Sequence, residues 1–296
     1  MKYGVVILQD ILKKYDMNNI AVLITCHNRK NTTLKCLGHL YSIRNDIDVF
    51  CVDDNSSDGT AEAIKEQYPS VRLIMGDGSL FWCRGMRKAW VSAREQKDYD
   101  FYIWLNDDME LYQNAFDEIL ECSELFHHKA IVSGLVQESS SLKVIYGGYD
   151  EHQRLIEANG SNNAIHHLNG NFVLVPKYVF NKIGYFDEVF HHDIGDVDYG
   201  FMARKNNIPV VSTRCYIGRT DEVLKSASLR IRKNGVGIIN RFKKLYSPLG
   251  APPPIHFHFI KKHRGVFPAI IYCTYLYVIN ILPDFLWSPI EKKMYN

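Results

Sequence analysis

The sequence predicts an α/β fold: a doubly wound, mostly parallel sheet with helices on both faces. Three observations predict it. From Ile20 to about Leu125, short apolar runs alternate with segments whose apolar residues recur at helical spacing. The runs are apolar throughout, as strands buried on both faces must be. Acid- or amide-bearing polar loops follow three of the runs, at the strand ends where open α/β sheets bind ligands. Bulk composition agrees. A chain of 296 residues with 46% apolar and 23% charged residues is not disordered, collagen-like or a coiled-coil rod. Its net charge of +2 gives no reason to expect nucleic acid as a partner.

The elements follow in order. IAVLIT (20–25) is the first strand, and TTLKCLGHLY (32–41) sets Leu34, Leu37 and Tyr41 at helical spacing. DVFCV (48–52) is the second strand, and TAEAIKEQY (60–68) is a helix with cap candidates from Ser57 to Thr60. VRLIM (71–75) is the third strand, MRKAWVSAREQ (86–96) an amphipathic helix, FYIWL (101–105) the fourth strand and NAFDEILECSELF (114–126) a helix. From about Ala130 to Ser212 the pattern is less regular. NFVLVP (171–176) reads as a strand ended by Pro176, Asp196 to Asn206 as a short helix and PVVS (209–212) as another strand.

The last part differs in kind. Between Lys225 and Arg264 there are ten Lys or Arg and no Asp or Glu, and GVFPAIIYCTYLYVINIL (265–282) carries no charge. Its length is at the lower edge of a bilayer span. Pro268, Asn280 and the polar tips of Tyr272, Thr274, Tyr275 and Tyr277 weigh against spanning. A basic stretch beside an apolar, aromatic-rich one suits a segment lying in the interface of an anionic membrane. The alternative is a helix packed on the domain with a solvated basic face. The seven cysteines have no C-x-x-C spacing, and Cys51 in DVFCV reads as a small core residue, so a reduced, cytoplasmic compartment is expected. The N-terminal run YGVVIL is too short for a signal peptide and no small-residue cleavage site follows it.

The strand-end loops carry the chemistry. Thr25-Cys26-His27-Asn28-Arg29, Asp53-Asp54-Asn55-Ser56-Ser57-Asp58-Gly59 and Asn106-Asp107-Asp108 gather on one predicted edge. Two carboxylates such as Asp107 and Asp108 hold a hard divalent cation, Mn²⁺ or Mg²⁺, with waters and phosphates completing the shell. The alternative is an acid pair favouring the N-terminus of the helix at 114–126. Neither G-x-G-x-x-G nor G-x-x-x-x-G-K-[ST] occurs, which argues against a nicotinamide dehydrogenase and a P-loop nucleotidase. A nucleotide bound here would need a metal to neutralise its phosphates.

IAVLITCHNRKNTTLKCLGHLYS, VDDNSSDGT and WLNDDM, in this order, resemble the inverting family 2 glycosyltransferases with the Rossmann-like GT-A fold. NGNFVLVPKYVFNKIGYFDEVFHHDIGDVDYGFMARKNNIPV (169–210) resembles the acceptor half of the same family. The resemblance implies a nucleotide-sugar half at 18–125, an acceptor half at 126–222 and a membrane-associating helical tail at 223–296. Thr25, Asn28 and Arg29 would border the nucleotide, and Asp53 or Asp54 would bond its base. Asn106-Asp107-Asp108 stands at the family's D-x-D motif, with Asp108 foremost as metal ligand. Asn106 departs from that motif, though an amide still bonds a ribose hydroxyl. GDVDYG resembles the family's E-D-V-D stretch. Asp196 then stands at the catalytic base, Gly195 replaces the usual Glu, and Asp193 and Asp198 compete. Asn169, Gly170 and Asn171 would meet the acceptor. In GSLFWCRGMRKAW (78–90), Arg84 and Arg87 would meet the diphosphate and Trp82 a sugar or base, against plain readings as exposed arginines and a core ring.

Histidine ligands are less favoured. His191 and His192 are neighbours that point apart on an extended segment. His256-x-His258 has a ligand spacing but reads better as polar surface, and the family's late His motif appears as CYIGRT (215–220), without His. The implied reaction is metal-dependent transfer of a sugar from a nucleotide donor to a glycan or lipid-linked hydroxyl of a capsule or lipopolysaccharide type, peripheral to the cytoplasmic face of the membrane. The alternatives are a sugar nucleotidyltransferase, for which TCHNRKNTT is a poor loop, and an inactive membrane-bound carbohydrate-binding scaffold.

Overall fold

The computed structural model describes residues 19–221 and 230–295. The YGVVIL run and Lys225 lie outside the described residues. The chain forms two compact units. One takes the chain to Glu188 and again from Gly195 to Glu222; the other takes Val189–Ile194 and the chain from Val223 onward.

The first unit is the α/β body. Its first half alternates β1 (Ile20–Cys26), α1 (Lys30–Ile43), β2 (Asp48–Asp53), α2 (Thr60–Gln67), β3 (Arg72–Met75), α3 (Phe81–Gln96) and β4 (Phe101–Leu105). All seven residues of β1 and all five of β4 are buried, which is why both are apolar throughout. β5 (Glu110–Leu111), α4 (Ala115–Leu125), β6 (Ile131–Glu138), β7 (Val144–Tyr149), β8 (His167–Asn169), β9 (Phe172–Pro176), α5 (Lys177–Ile183), α6 (Gly195–Lys205) and β10 (Val210–Thr220) follow. The sheet order is β3-β2-β1-β4-β9-β6-β10-β5, with β7 paired to β6 and β8.

Two pairings position the site. β1 runs parallel to β2 and to β4, so the loops after these strands share one edge. β9 runs antiparallel to β4, with Phe172 opposite Leu105, so the residues entering β9 reach the same edge. The helix α3 begins at Phe81, not at Met86 as the periodicity predicts. The Asp54 carboxylate accepts the backbone N–H groups of Leu80 (2.9 Å) and Phe81 (3.0 Å), satisfying donors that a first helical turn otherwise leaves open. An added Cβ on Gly85 would overlap Thr25 Oγ1, so this glycine lets α3 lie directly on β1.

The second unit holds α7 (Ile238–Tyr246), α8 (Pro253–Arg264), α9 (Val266–Ile281) and α10 (Asp284–Tyr295) around Ile231, Leu245, Leu276, Ile279 and Trp287. The basic stretch is only partly a solvated face. Arg232 is fully buried and donates to the carbonyls of Ile279 and Leu282 and to Asp284 (2.8 Å). Arg241 donates to the Leu282 carbonyl and also pairs with Asp284. These two guanidinium groups satisfy carbonyls at the C-terminus of α9, where cations are favoured. Arg230 is paired with Asp193. His256 is buried rather than surface-exposed, its ring tilted against Tyr272, and burial pushes its imidazole down to about 4. Among the described residues, no helix is long and apolar enough to cross a membrane.

Candidate active site

The first loop is tied to the second. Asn28 takes the left-handed region (φ 51°), which asparagine tolerates. Its backbone N–H donates to Ser56 Oγ (2.8 Å) and its Oδ1 accepts from Ser57 N (2.7 Å). Asp53 Oδ1 accepts from Ser56 N (2.7 Å), whereas Asp53 Oδ2 is buried with no hydrogen-bond partner among the described residues. Asp54 is fully committed to the 78–81 turn, since it accepts from Gly78 N as well as Leu80 and Phe81. Of the two base-contact candidates, Asp54 thus places both oxygens on the 78–81 turn, whereas Asp53 has one oxygen on Ser56 N and one without a hydrogen bond.

Arg29 sits between the acid pair after β4. Its Nε is 3.5 Å from Asp107 Oδ2, and its terminal nitrogen lies 3.3 Å from Asp108 Oδ2. Thr33, one turn into α1, donates to Asp107 Oδ2 (3.0 Å). Sequence reading missed Thr33, although its i+4 spacing from Arg29 is the signal that both reach one acid. Asp107 is the more buried, while Asp108 opens on a groove of about 340 Å³ that Lys35, Glu110 and Arg219 also line. Arg219 and Lys35 both bond the Glu110 carboxylate and hold it below its ordinary range, against burial. Cys36 lies beneath, its thiol donating to the Asn106 carbonyl (3.4 Å). Burial, then the charges of Asp107 and Asp108, push that thiol far up, so it stays protonated and is no nucleophile.

Asn106 is engaged within the protein. Its Oδ1 accepts from Trp82 Nε1 (2.8 Å) and its Nδ2 donates to Asn171 Oδ1 (3.0 Å). The amide expected to bond a ribose is thus a bridge from α3 to the strand-entry turn before β9. Trp82 also packs edge-on against Phe186. From that turn, Gly170 N donates to Asp196 Oδ2 (2.9 Å) in the first turn of α6. A Cβ on Gly170 would stand 3.2 Å from Asp196 Cβ, closer than side chains ordinarily pack. Asn169, at the end of β8, pairs across to Gly147.

The competitors of Asp196 are placed differently. Asp198, two residues on, falls on the far side of the helical turn and is buried. Asp193 belongs to the second unit and is ion-paired with Arg230. Arg84 and Arg87, expected at a diphosphate, are both turned onto Glu188: Arg84 Nε donates to its carbonyl (3.0 Å) and Arg87 pairs with its carboxylate. The missing glutamate before Asp196 also has a physical reason. An added Cβ on Gly195 would overlap Cys83 Sγ, a fully buried thiol that fills the space a side chain would take.

The sequence model described as Glycosyl transferase family 2 matches residues 21–184, more than half of the chain. The chain belongs to glycosyl transferase family 2. The protein is accordingly a glycosyltransferase, and its mixed, mostly parallel sheet is a GT-A fold. Two crystal structures of S. aureus TarS resemble it. One, of TarS residues 1–349, is 12% identical with a TM-score of 0.53, covering 89% of this chain and 81% of that one. The other, of S. aureus TarS, is 11% identical with a TM-score of 0.54, covering 88% of this chain and 54% of that one. At such identity these likenesses speak for the fold. No curated protein sequence matches the glycosyltransferase.

The donor set suits a hard cation. Asp107 and Asp108 offer two carboxylates beside the Arg29 guanidinium, oxygen ligands of the kind Mn²⁺ and Mg²⁺ prefer. Among the described residues, no group of three or more His, Cys, Asp or Glu is arranged to hold a metal ion. Waters and donor phosphates would have to complete the shell.

Proposed function

We propose that this glycosyltransferase moves a sugar from a nucleoside-diphosphate donor to a hydroxyl of a glycan, with inversion at the anomeric carbon, and that Asp196 is the general base. One observation carries the reading. Asn106, two residues before Asp108, reaches Asn171, and Gly170 beside Asn171 reaches Asp196, so hydrogen bonds tie the acid-pair loop to the proposed base across the strand-entry turn.

In this mechanism the acceptor oxygen attacks the anomeric carbon from the face opposite the leaving group. The bond to the diphosphate oxygen breaks, its electron pair stays with the nucleoside diphosphate, and the hydroxyl proton passes to Asp196. The Gly170 N–H (2.9 Å to Oδ2) and the Val197 N–H (2.8 Å to Oδ1) orient the carboxylate. Arg29 balances the acid pair, and Asp53, through Ser56 N, shapes the loop that borders the base. Asp108, with Asp107, would hold Mn²⁺ or Mg²⁺, which when bound neutralises charge developing on the diphosphate. A lipid-linked glycan acceptor of the capsule or lipopolysaccharide kind, at the cytoplasmic face of a membrane, accords with an apolar surface on the second unit.

Thermal unfolding with UDP-, GDP- and dTDP-sugars, with and without Mn²⁺, tests the donor reading. One class should raise the melting temperature by mass action, a stabilisation of about 2.7 kcal/mol at a hundredfold excess over Kd. Asp108→Asn should remove the Mn²⁺-dependent part. No stabilisation by any donor, with no transfer, would overturn the proposal.

A further inference from the structure

We propose that the second unit docks on an anionic phospholipid bilayer through one face of α9, lying in the interface without crossing it. The face is continuous. Phe267, Ile270, Ile271, Tyr275, Val278 and Ile281 are all exposed, Phe267 at 74% and Ile281 at 58%, and with Thr274 they step along the helix by three or four residues. Beyond the helix end, Phe285 is 73% exposed and extends the exposed apolar run. Sixteen residues give a stripe about 24 Å long.

The opposite stripe is the packed one. Ala269, Leu276 and Ile279 are buried, the last two in the core with Leu245 and Trp287. A helix packed on a soluble body carries polar residues on its outer face; α9 carries one threonine and a tyrosine tip there. Single exposed apolar residues are ordinary, whereas a continuous apolar stripe marks a binding surface.

Charge selects the occupant. The last turn of α8, directly before α9, is Lys261, Lys262, His263 and Arg264, with Lys261 and Arg264 exposed. No Asp or Glu occurs from residue 253 to 281. Two copies meeting through this stripe would find no acid from residues 253 to 281 to set against those cations. An anionic headgroup layer complements those cations, and the acyl boundary takes the apolar stripe to a depth of roughly 5–10 Å. The helix also cannot leave to span the bilayer without breaking its polar end, where Arg232 is fully buried on the carbonyls of Ile279 and Leu282. Docking therefore leaves the fold intact.

Co-sedimentation of the full chain with vesicles tests this without any donor or turnover, so its outcome is separate from that of the glycosyl-transfer reading. The chain should pellet with vesicles of phosphatidylcholine plus about one-third phosphatidylglycerol, and at least tenfold less with phosphatidylcholine alone. Phe267→Asp and Ile271→Asp, both at exposed positions, should weaken binding by more than tenfold at unchanged melting temperature, and the pair Lys261→Glu with Arg264→Glu should abolish the preference for the anionic lipid. Equal pelleting of the stripe variants and the parent would overturn the proposal. So would a dimer in light scattering that Ile271→Asp converts to monomer, with no vesicle binding by either, because a second copy would then own the face.

Discussion

Replacing Asn106 by alanine should uncouple the acid-pair loop from the turn that holds Asp196. Two hydrogen bonds disappear, one from Trp82 Nε1 (2.8 Å) and one to Asn171 Oδ1 (3.0 Å). A lost neutral bond costs about 1 kcal/mol net, and a buried partner left unsatisfied raises that to about 1–3 kcal/mol. Asn171 is 4% exposed, so its oxygen stays dry and sits at the costly end. Trp82 is half-buried, and water recovers part of its loss. The sum is about 2–3 kcal/mol in the unfolding free energy, read by equilibrium urea denaturation. Asn171→Ala removes the shared bond together with the Nδ2 bond to Met109 Sδ (4.0 Å), and the double variant loses the shared bond only once. The two single losses should then exceed the double loss by about 1 kcal/mol, the signature of direct contact. Because Asn171 adjoins Gly170, kcat should fall more than donor KM rises. Strict additivity, within about 0.3 kcal/mol, would refute the bridge.

Gly195→Ala should destabilise by about 1–3 kcal/mol through overpacking against Cys83, and Cys83→Ala in the same chain should recover part of it; equal destabilisation in both backgrounds, by differential scanning calorimetry, would place the strain elsewhere. Glu118 gives a pH signature. Burial raises its pKa, but the guanidinium and backbone N–H of Arg214 outweigh this and hold it below the ordinary 4.5. A carboxylate depressed in the folded state contributes stability above its unfolded pKa and loses it as pH falls through the folded value. The acid limb of stability below pH 4.5 should therefore be shallower in Glu118→Gln, which is less stable at pH 7; a limb of unchanged slope would contradict the pair.

What was legible in the sequence was whatever local pattern determines. β1, β2 and β4 are buried on both faces, so each reads as an unbroken apolar run, and the polar loops after them fall on one edge because parallel neighbours end together. β6, β7 and β8 were not legible. Gly147 and Gly148, at φ 133° and 145°, interrupt β7 where a side chain would strike Leu135 or Ile165, and the missing side chains erase the alternation. Within the site, the gathered acids were visible but their partners were not. Asp54 is spent on the 78–81 turn, Asn106 on Trp82 and Asn171, and Arg84 and Arg87 on Glu188 about a hundred residues away. The basic tail misled for the same reason: Arg232 and Arg241 look solvated until the α9 carbonyls and Asp284, some forty to fifty residues on, are seen to receive them.

The central claim is that Asp196 removes the acceptor proton and takes no part in holding the donor. The direct measurement is Asp196→Asn, an isosteric change that keeps an oxygen for the Gly170 N–H, with donor affinity by calorimetry and transfer followed in the same preparation. A general base contributes about 10²–10⁴-fold, so transfer should fall by at least a hundredfold while the donor Kd stays within about twofold of the parent. A variant that binds donor tenfold more weakly yet turns over at the parental kcat when saturated would contradict it.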